Sequence, residues 1–275
     1  MVKRYLSDKN LNRVIRDFSF LIKLINESHG EYDFSIRDDY FNLYYKGNSM
    51  AKVSFLNGDN YLISIHKKFF EKTSAEDPKF YLTKKQNKDY WNVELSNKEI
   101  HPFLQKKHLN EFASRIKEIH YGEEIVFEQA IITDNLNNPE IIIIDRQITD
   151  SGLQRKRMDL LALKRVENLK YTFLILEVKL GNNPELKGKV ATQLNTYITH
   201  IQNHFQTYKE SYENQYRQKV KLGLFSPPFS KNIEIVPPVD GLIVVGGYSG
   251  IAVKSIKELE AKHPSLNLKH FKYAL

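Results

Sequence analysis

Two apolar segments of the sequence carry charged residues that are costly to bury, which makes them candidates for chemistry. Asp159 lies in segment 157–163, and Glu177 and Lys179 close segment 171–179. Side chains along a strand alternate between its two faces, so Glu177 and Lys179 are expected on the same face. A carboxylate and an ammonium buried in this way destabilise a fold unless they pair with each other or bind a ligand.

Asp159 is expected to bring a second carboxylate to this place, because the connection between the two segments is short enough for a hairpin. Two carboxylates and a backbone carbonyl of the strand form an oxygen-rich set of ligands that suits Mg²⁺. The neighbouring Lys179 suits a water nucleophile or a phosphate oxygen. These residue types therefore indicate a metal site with a cation beside it.

The elements that would hold these residues follow one another in the second half of the chain. Isoleucines at 141–144 predict a buried strand, and segments 157–163 and 171–179 predict two more. Pro184 is well placed to begin a long helix. The apolar residues 242–245 predict one further buried strand.

The first hundred residues have a different pattern. Apolar residues at helical spacing predict a helix over 8–28. Four segments rich in aromatic and β-branched residues follow, separated by polar turns, and predict an antiparallel meander. These segments are 32–36, 40–45, 51–56 and 61–66. We interpret the polar residues 69–98 as a short helix, loops and an interdomain connection, and residues 101–120 as a helix.

The aromatic residues of the meander allow two interpretations. They could form a stacking platform for single-stranded nucleic acid. They could instead form the core and the cross-strand pairs of the sheet, which is the more common role and the one that we favour. The residues concerned are Phe34, Tyr40, Phe41, Tyr44 and Tyr45.

The composition limits the classes of protein that remain. A net charge of +8 over 275 residues suits a polyanionic partner, although a lysine-rich solvated surface has the same composition. Without cysteine, the chain forms no disulfide, zinc–thiolate site or cysteine-ligated iron–sulfur cluster. No apolar run has the length of a membrane span, and the basic N-terminus lacks the apolar core of a signal peptide. We therefore expect a soluble, cytoplasmic protein with no membrane partner.

The charged residues resemble a known pattern, that of the PD-(D/E)xK nuclease superfamily of restriction enzymes, repair nucleases and Holliday-junction resolvases. Asp159 matches the acidic position, and Glu177 and Lys179 match the E-x-K that ends the next strand. Gln193 and Tyr197 are similar to the Q-x-x-x-Y motif of the branch that contains lambda exonuclease and the nuclease domains of recombination helicases.

This resemblance implies an α/β fold. It would have a restriction-endonuclease-like αβββαβ core with a mixed sheet. The helix and the antiparallel meander of the first hundred residues predict a separate small α+β domain before this core, because they have their own turns and a polar stretch follows them. We therefore expect two domains, residues 1–100 and 101–275. The first helix of the core is assigned to residues 122–136, whose own pattern is ambiguous between helix and strand. Met158 stands where many members have proline, a position that varies in the superfamily.

The resemblance also implies roles for individual residues. Asp159, Glu177 and the Val178 carbonyl would hold Mg²⁺ or Mn²⁺. Lys179 would orient water or stabilise charge on the phosphate, because the adjacent carboxylates favour its charged form over the neutral form that a base requires. Further catalytic candidates, which would contact the phosphate or complete the site, are Gln193, Tyr197 and Glu128, with Glu124 as the alternative to Glu128.

The predicted function is metal-dependent hydrolysis of phosphodiester bonds in nucleic acid, with DNA as the favoured substrate. Basic residues that could contact the backbone without reading sequence are Lys156, Arg157, Lys164, Arg165, Lys187 and Lys189. The alternative is a catalytically inactive nucleic-acid-binding or interaction module on a nuclease-like fold. The sequence leaves the oligomeric state open, with a homodimer as one arrangement.

Overall fold

The structure is a computed structural model that describes residues 2–119, 122–153, 156–225, 229 and 232–272. Within these ranges the protein is mixed α/β, with nine α-helices and two six-stranded sheets. The contacts between residues divide the chain into two compact units. The first unit comprises Lys3–Gln129 and Asn214–Pro227, and the second comprises Met1–Val2, Ala130–Glu213 and Pro228–Leu275.

The first unit is built on an antiparallel sheet with strand order β1-β2-β3-β4-β6-β5. Its strands are β1 (Tyr32–Ile36), β2 (Tyr40–Tyr45), β3 (Asn48–Phe55), β4 (Asn60–His66), β5 (Thr83–Asn87) and β6 (Tyr90–Ser96). Its helices are α1 (Asp8–Asp17), α2 (Ser19–Glu27), α3 (Lys67–Phe70), α4 (Asn97–Phe103) and α5 (Lys106–Ile119). The predicted meander over the first four strands is therefore confirmed.

The interpretation of residues 69–98 as loops and an interdomain connection is wrong, because β5 and β6 form a hairpin that extends the sheet. Strand β6 pairs with β4 along its whole length, with Val93 opposite Ile63. Val93 and Leu95 are fully buried, and Trp91 packs against the same core. The alternation of Trp91, Val93 and Leu95 was the signal for a strand, and the surrounding lysines obscured it.

The aromatic residues of the meander belong to the core, as we favoured. Phe34 and Phe41 stack with their ring centroids 4.3 Å apart, and both are fully buried. Tyr44 and Tyr45 are also buried, whereas Tyr40 is half-buried with the Lys52 ammonium 4.0 Å from its ring centroid. Four of the five rings are therefore inaccessible to a nucleic-acid base.

The first unit extends beyond the boundary predicted near residue 100. Leu109, Phe112 and Ile116 on α5 are buried in one cluster with side chains of the first sheet. The segment after residue 213 also joins this unit, because the Gln218 amide both accepts from the Leu6 N–H at 2.8 Å and donates to its carbonyl at 2.7 Å. The helix predicted over residues 101–120 is two helices, α4 and α5, which complete the core of the first unit. His120, the end of that prediction, lies outside the described residues.

Replacing Ile116 by alanine should destabilise the first unit by about 2–5 kcal/mol, the usual cost of truncating a buried isoleucine. Ile119 lies one turn away on the same helix but is 38% exposed, so Ile119→Ala should change stability by less than about 0.5 kcal/mol. The fluorescence of Trp91, the single tryptophan of the chain, reports urea unfolding of this unit. Equal small effects of both substitutions would contradict the assignment of α5 to this core.

The second unit is built on a mixed sheet with strand order β12-β11-β9-β8-β7. Its strands are β7 (Ile141–Thr149), β8 (Arg157–Glu167), β9 (Lys170–Leu180), β10 (Glu234–Ile235), β11 (Asp240–Gly246) and β12 (Leu268–Phe271). Strands β7, β8 and β9 are antiparallel neighbours, whereas β11 runs parallel to both β9 and β12, and β10 pairs with the start of β9. The short strands β10 and β12 were not predicted.

The remaining helices are α6 (Glu123–Asp134), α7 (Lys189–Asn203), α8 (Phe205–Lys221) and α9 (Ser249–Lys262). The ambiguous residues 122–136 thus form a helix, as predicted. Pro184 begins a 3-10 turn, Pro184–Lys187, and the long helix starts at Lys189 after Gly188, whose φ is +142°. Among the described residues, no helix combines the length and the apolar character that a bilayer span requires.

Candidate active site

The site lies where the antiparallel pairing of β8 and β9 ends. The last pair of the ladder at this end is Leu160 opposite Leu176. Beyond this pair, the Asp159 side chain replaces a backbone partner. Its Oδ2 accepts a hydrogen bond of 2.9 Å from the Val178 N–H. The N–H and C=O groups of one strand residue point to the same side. The Val178 carbonyl therefore points to the side of β9 on which β8 and Asp159 lie.

Lys179 joins the two carboxylates. Its Nζ lies 2.8 Å from Glu177 Oε1 and 3.6 Å from Asp159 Oδ2. The predicted common face of Glu177 and Lys179 is thereby confirmed. All three residues are buried, with 8% exposure for Asp159, 1% for Glu177 and 4% for Lys179. The second oxygen of Glu177, Oε2, is buried and has no hydrogen-bond partner in the described part of the chain.

The electrostatics of the two carboxyl groups follow from this burial. Burial, assisted by repulsion from Asp159, raises the pKa of Glu177 to about 8, against the opposing effect of Lys179. Burial also raises the pKa of Asp159, although the Lys179 ammonium and the Val178 N–H favour its ionised form. Close buried carboxyl groups with raised pKa values are typical of functional sites, and structural ion-pair networks also show them.

A third carboxylate, Glu185, reaches the same lysine and was missed by sequence reasoning. Its Oε2 lies 3.7 Å from Lys179 Nζ, and its Oε1 pairs with Lys189. The backbone of Glu185 is fixed, because its N–H donates to the Asn183 side chain at 2.9 Å. The Glu185–Lys189 spacing of four and the preceding Pro184 were the available signals, typical of a helix start.

The two residues of the Q-x-x-x-Y motif occupy different positions on α7. Tyr197 is buried, and its hydroxyl donates to the Arg157 carbonyl at 3.0 Å, so it anchors the start of the strand that carries Asp159. Gln193 is half-buried, and its Oε1 is buried without a partner among the described residues. The contact with Lys189 is the largest effect that lowers the pKa of Glu185, against the opposing effect of burial, and Lys179 lowers it further.

The upstream glutamates lie on α6. Glu128 is buried and Glu124 is half-buried, and both belong to the first unit. Nowhere in the described ranges do three or more acidic or histidine side chains gather in a way that could hold a metal ion. A catalytic role for either glutamate therefore stays a prediction.

The basic candidates separate by their place along β8 and beyond it. Lys164 and Arg165 lie five and six residues after Asp159, about 16–20 Å along the strand, and pair with Asp240 and Glu140, each at 3.0 Å. The others are exposed and lie at the Asp159 end of the sheet (Lys156 and Arg157), on the turn after β9 (Lys187) or at the start of α7 (Lys189). The second group is the better placed to contact a phosphate backbone.

A further polar cluster, not predicted, fixes the end of β7. Asp150 Oδ2 accepts hydrogen bonds from Tyr208 at 3.0 Å and contacts His200 Nε2 at 3.2 Å. Although burial opposes ionisation of Asp150, these contacts and the Gly152 N–H lower its pKa to about 2. A Cβ at Gly152 would lie 2.6 Å from the His200 ring, so glycine is needed at this turn. The cluster ties the loop after β7 to α7 and α8.

The residues at the ends of β8 and β9 fit a hard divalent cation. The available ligand atoms are all oxygens, from Asp159, Glu177 and the Val178 carbonyl, and such a set favours Mg²⁺ or Mn²⁺ over softer metals. The unpartnered Glu177 Oε2 needs a cation or a hydrogen-bond donor to offset its burial.

Comparisons with protein families, with curated proteins and with solved structures found no match to this chain.

Proposed function

We propose that this chain is a Mg²⁺-dependent nuclease with a restriction-endonuclease-like core that hydrolyses phosphodiester bonds in DNA. The observation that carries the proposal is the trio of Asp159, Glu177 and Lys179 at the ends of adjacent strands, where one buried oxygen of Glu177 has no hydrogen-bond partner among the described residues. The order of α6, three antiparallel strands, α7 and the parallel strand β11 supports an αβββαβ core.

Each residue of the site has its own role in the proposed reaction. Asp159, Glu177 and the Val178 carbonyl would hold the ion, which supplies polarisation of the phosphate and a lower pKa for water. Lys179 lies between the carboxylates, which favour its charged form, and is suited to orient the attacking water or to stabilise charge on the phosphate. Tyr197 fixes the backbone two residues before Asp159, and Arg157 and Lys156 lie exposed at the same end of the sheet.

The alternative is a binding module without activity. It is favoured by one observation: Lys179 already pairs with Glu177 and Asp159, so the trio could serve only as a structural ion-pair network. Such a module would bind nucleic acid through the exposed basic residues and would have no use for a divalent ion.

Purified protein should cleave DNA in Mg²⁺ or Mn²⁺ and stop when a chelator is added. The substrates should be linear, circular, single-stranded and branched DNA, with matched RNA, since end dependence separates exonucleases from endonucleases. Cleavage that persists in excess chelator would contradict the metal site. Binding without cleavage of any substrate would instead support the inactive module.

A further inference from the structure

One face of the first sheet is not covered by helices α1 to α5. These helices pack against the opposite face, which bears Val53, Ile63 and Val93. Along β4 the residues that point to the helices are fully buried, whereas the residues between them are half-buried. On the hairpin of β5 and β6, Lys85 and Tyr90 point to the same side as those half-buried residues and are exposed. We call this side of strands β2 to β6 the open face.

The strand register brings lysines and aromatic rings together on the open face, because directly paired residues of neighbouring strands point to the same side. His66 of β4 is opposite Tyr90 of β6. The next row crosses β3, β4, β6 and β5 and consists of Lys52, Ser64, Asn92 and Lys85. On β2, Tyr40 lies beside this row, and the Lys52 ammonium is 4.0 Å from its ring centroid.

We propose that the open face binds single-stranded nucleic acid, with bases stacked on Tyr40 and Tyr90 and phosphates beside the two lysines. The proposal goes beyond the nuclease activity, because it uses none of the residues of the metal site and does not require cleavage. It gives the first unit a ligand of its own.

The tyrosine rings are placed to receive bases. Tyr90 is 48% exposed, and its ring meets the ring of His66 edge to face, with the centroids 5.3 Å apart. The imidazole is held in turn, because its Nδ1 accepts a hydrogen bond of 3.2 Å from the Lys68 N–H. Tyr40 is half-buried and lies three strands across and four residues along the sheet from Tyr90, or about 20 Å away. The two rings can therefore stack on separate bases of one strand.

The charges on the open face suit a polyanion. Lys52 and Lys85 are exposed, and neither has a carboxylate within 4.0 Å among the residues that the structure describes. Among the described residues of this face, the one carboxylate is that of Glu94, which lies four residues along β6 from Tyr90. The excess of positive charge therefore lies on the row of the two lysines, next to the exposed ring, where it can attract phosphate groups.

A hydrogen-bond donor completes the surface. Ser64 Oγ donates to Asn92 Oδ1 at 2.6 Å, which leaves the Asn92 NH₂ group as a donor for a base or for a phosphate oxygen. A duplex would make no use of the rings, because neighbouring base pairs cover the faces of its bases, whereas a single strand leaves these faces accessible. The rings, cations and amide together therefore favour a single strand over a duplex.

The test uses a fluorescent oligothymidylate of about 16 nucleotides, the upper end of the site sizes of single-strand-binding folds. Its affinity is measured by anisotropy in excess chelator, so that cleavage does not interfere. Tyr90→Ala should weaken binding about 5- to 140-fold, which corresponds to the loss of one stacked base. Tyr90→Phe keeps the ring and should bind as the unmodified protein does. Unchanged affinity in Tyr90→Ala would overturn the proposal.

The lysines are tested by the salt dependence of the same affinity. Lys85→Ala should reduce the slope of log affinity against log salt by about 0.7, the value for one phosphate contact on a single strand. The matched control is Lys106→Ala, which removes an exposed charge from α5 on the other side of the sheet and should leave the slope unchanged. Equal slopes in the two variants would contradict a phosphate contact at Lys85. Urea unfolding followed by Trp91 fluorescence shows whether each variant is folded.

Further measurements distinguish other occupants of the open face. A duplex of the same length should bind equally well to Tyr90→Ala and to the unmodified protein, and a loss as large as that for the single strand would contradict base stacking on this ring. Oligouridylate is tested beside oligothymidylate, and the polymer that loses more affinity in Tyr90→Ala is the ligand of the face. A dimer that Tyr90→Ala dissociates without weakening oligonucleotide binding would assign the face to a second copy of the chain and overturn the proposal.

Cross-linking separates this inference from the proposed function. An oligonucleotide that carries bromodeoxyuridine should cross-link on irradiation to peptides of β2 to β6. Cross-links confined to the second unit would overturn the proposal, whether or not the protein is a nuclease. Cross-links to the open face in a protein that cleaves no nucleic acid would support single-strand binding and refute the nuclease.

Discussion

Replacing Asp159 by asparagine should abolish DNA cleavage while leaving DNA binding equal or tighter. Asparagine has nearly the same shape, and its Oδ1 can still accept the Val178 N–H, so the strand ends should keep their geometry. The substitution removes a negative charge that faces a polyanion and takes away one ligand of the ion. The loss of cleavage should exceed about 100-fold, beyond the effect of residues that only orient metal ligands.

The matched control is Asp240→Asn on the neighbouring strand β11. Asp240 pairs with Lys164 at 3.0 Å and lies at the end of the sheet away from Asp159, so its substitution should leave cleavage unchanged. The measurements are the single-turnover cleavage rate and DNA affinity as a function of salt. Full cleavage by the Asp159→Asn variant would refute the metal site.

Lys179→Ala is a second substitution for the same experiment, and it removes a positive charge where Asp159→Asn removes a negative one. It should also abolish cleavage, but it should leave Mg²⁺ binding intact in calorimetry, because Lys179 supplies no oxygen ligand. DNA binding should weaken slightly, by about one phosphate contact in the salt dependence. Unfolding of the Asp159 and Lys179 variants alike would favour the structural ion-pair network of the inactive module.

Much of this site was readable from the sequence because it depends on local patterns. The alternation of side chains along an apolar strand placed the charged residues Glu177 and Lys179 on one face. The short connection between the two segments indicated that β8 and β9 form a hairpin. Glu185 escaped detection because its contact with Lys179 depends on the path of the turn after Gly181, which no local pattern specifies. Its spacing of four from Lys189 indicated only a helix start.

The division of the chain was harder to predict for a related reason. Helix α5 has one apolar face, and such a face can pack against either sheet. Its pattern therefore does not show which sheet it packs against. Burial of Phe112 and Ile116 beside the first sheet is a contact between residues far apart in the chain. The buried Asp145 is a similar case: it follows the isoleucine run, next to a register shift in β7, and receives a hydrogen bond of 3.0 Å from Tyr212, sixty-seven residues later.

Glu177→Gln should stabilise the metal-free protein, and by more at pH 9 than at pH 5. Burial and the repulsion from Asp159 raise the pKa of Glu177 from the ordinary 4.5 to about 8. Between these values the folded state binds more protons at this group than the unfolded state does. The free energy of unfolding therefore falls as the pH rises from about 4.5 to about 8, and stays level above that. A pKa difference of one corresponds to about 1.4 kcal/mol, so the upper limit is about 5 kcal/mol.

Glutamine carries no titrating group and mimics the neutral form of Glu177, so the variant lacks this loss. Urea unfolding with a chelator, from pH 5 to pH 9, should give a difference between variant and unmodified protein that grows with pH and levels off near pH 8. The control Glu140→Gln changes an exposed carboxylate and should give a difference that does not follow this curve.

Adding Mg²⁺ should reverse the sign of the comparison. An ion that binds the ionised Glu177 stabilises the folded state of the unmodified protein. This gain in stability should increase with pH up to about 8, because fewer molecules then carry a proton on Glu177 that the ion must displace. The variant should gain little from Mg²⁺ at any pH. A pH-independent difference in chelator would show that Glu177 is ionised throughout and offset by Lys179, as in a structural ion pair. A pH-dependent difference whose sign Mg²⁺ reverses is expected of a buried carboxylate that binds a metal ion.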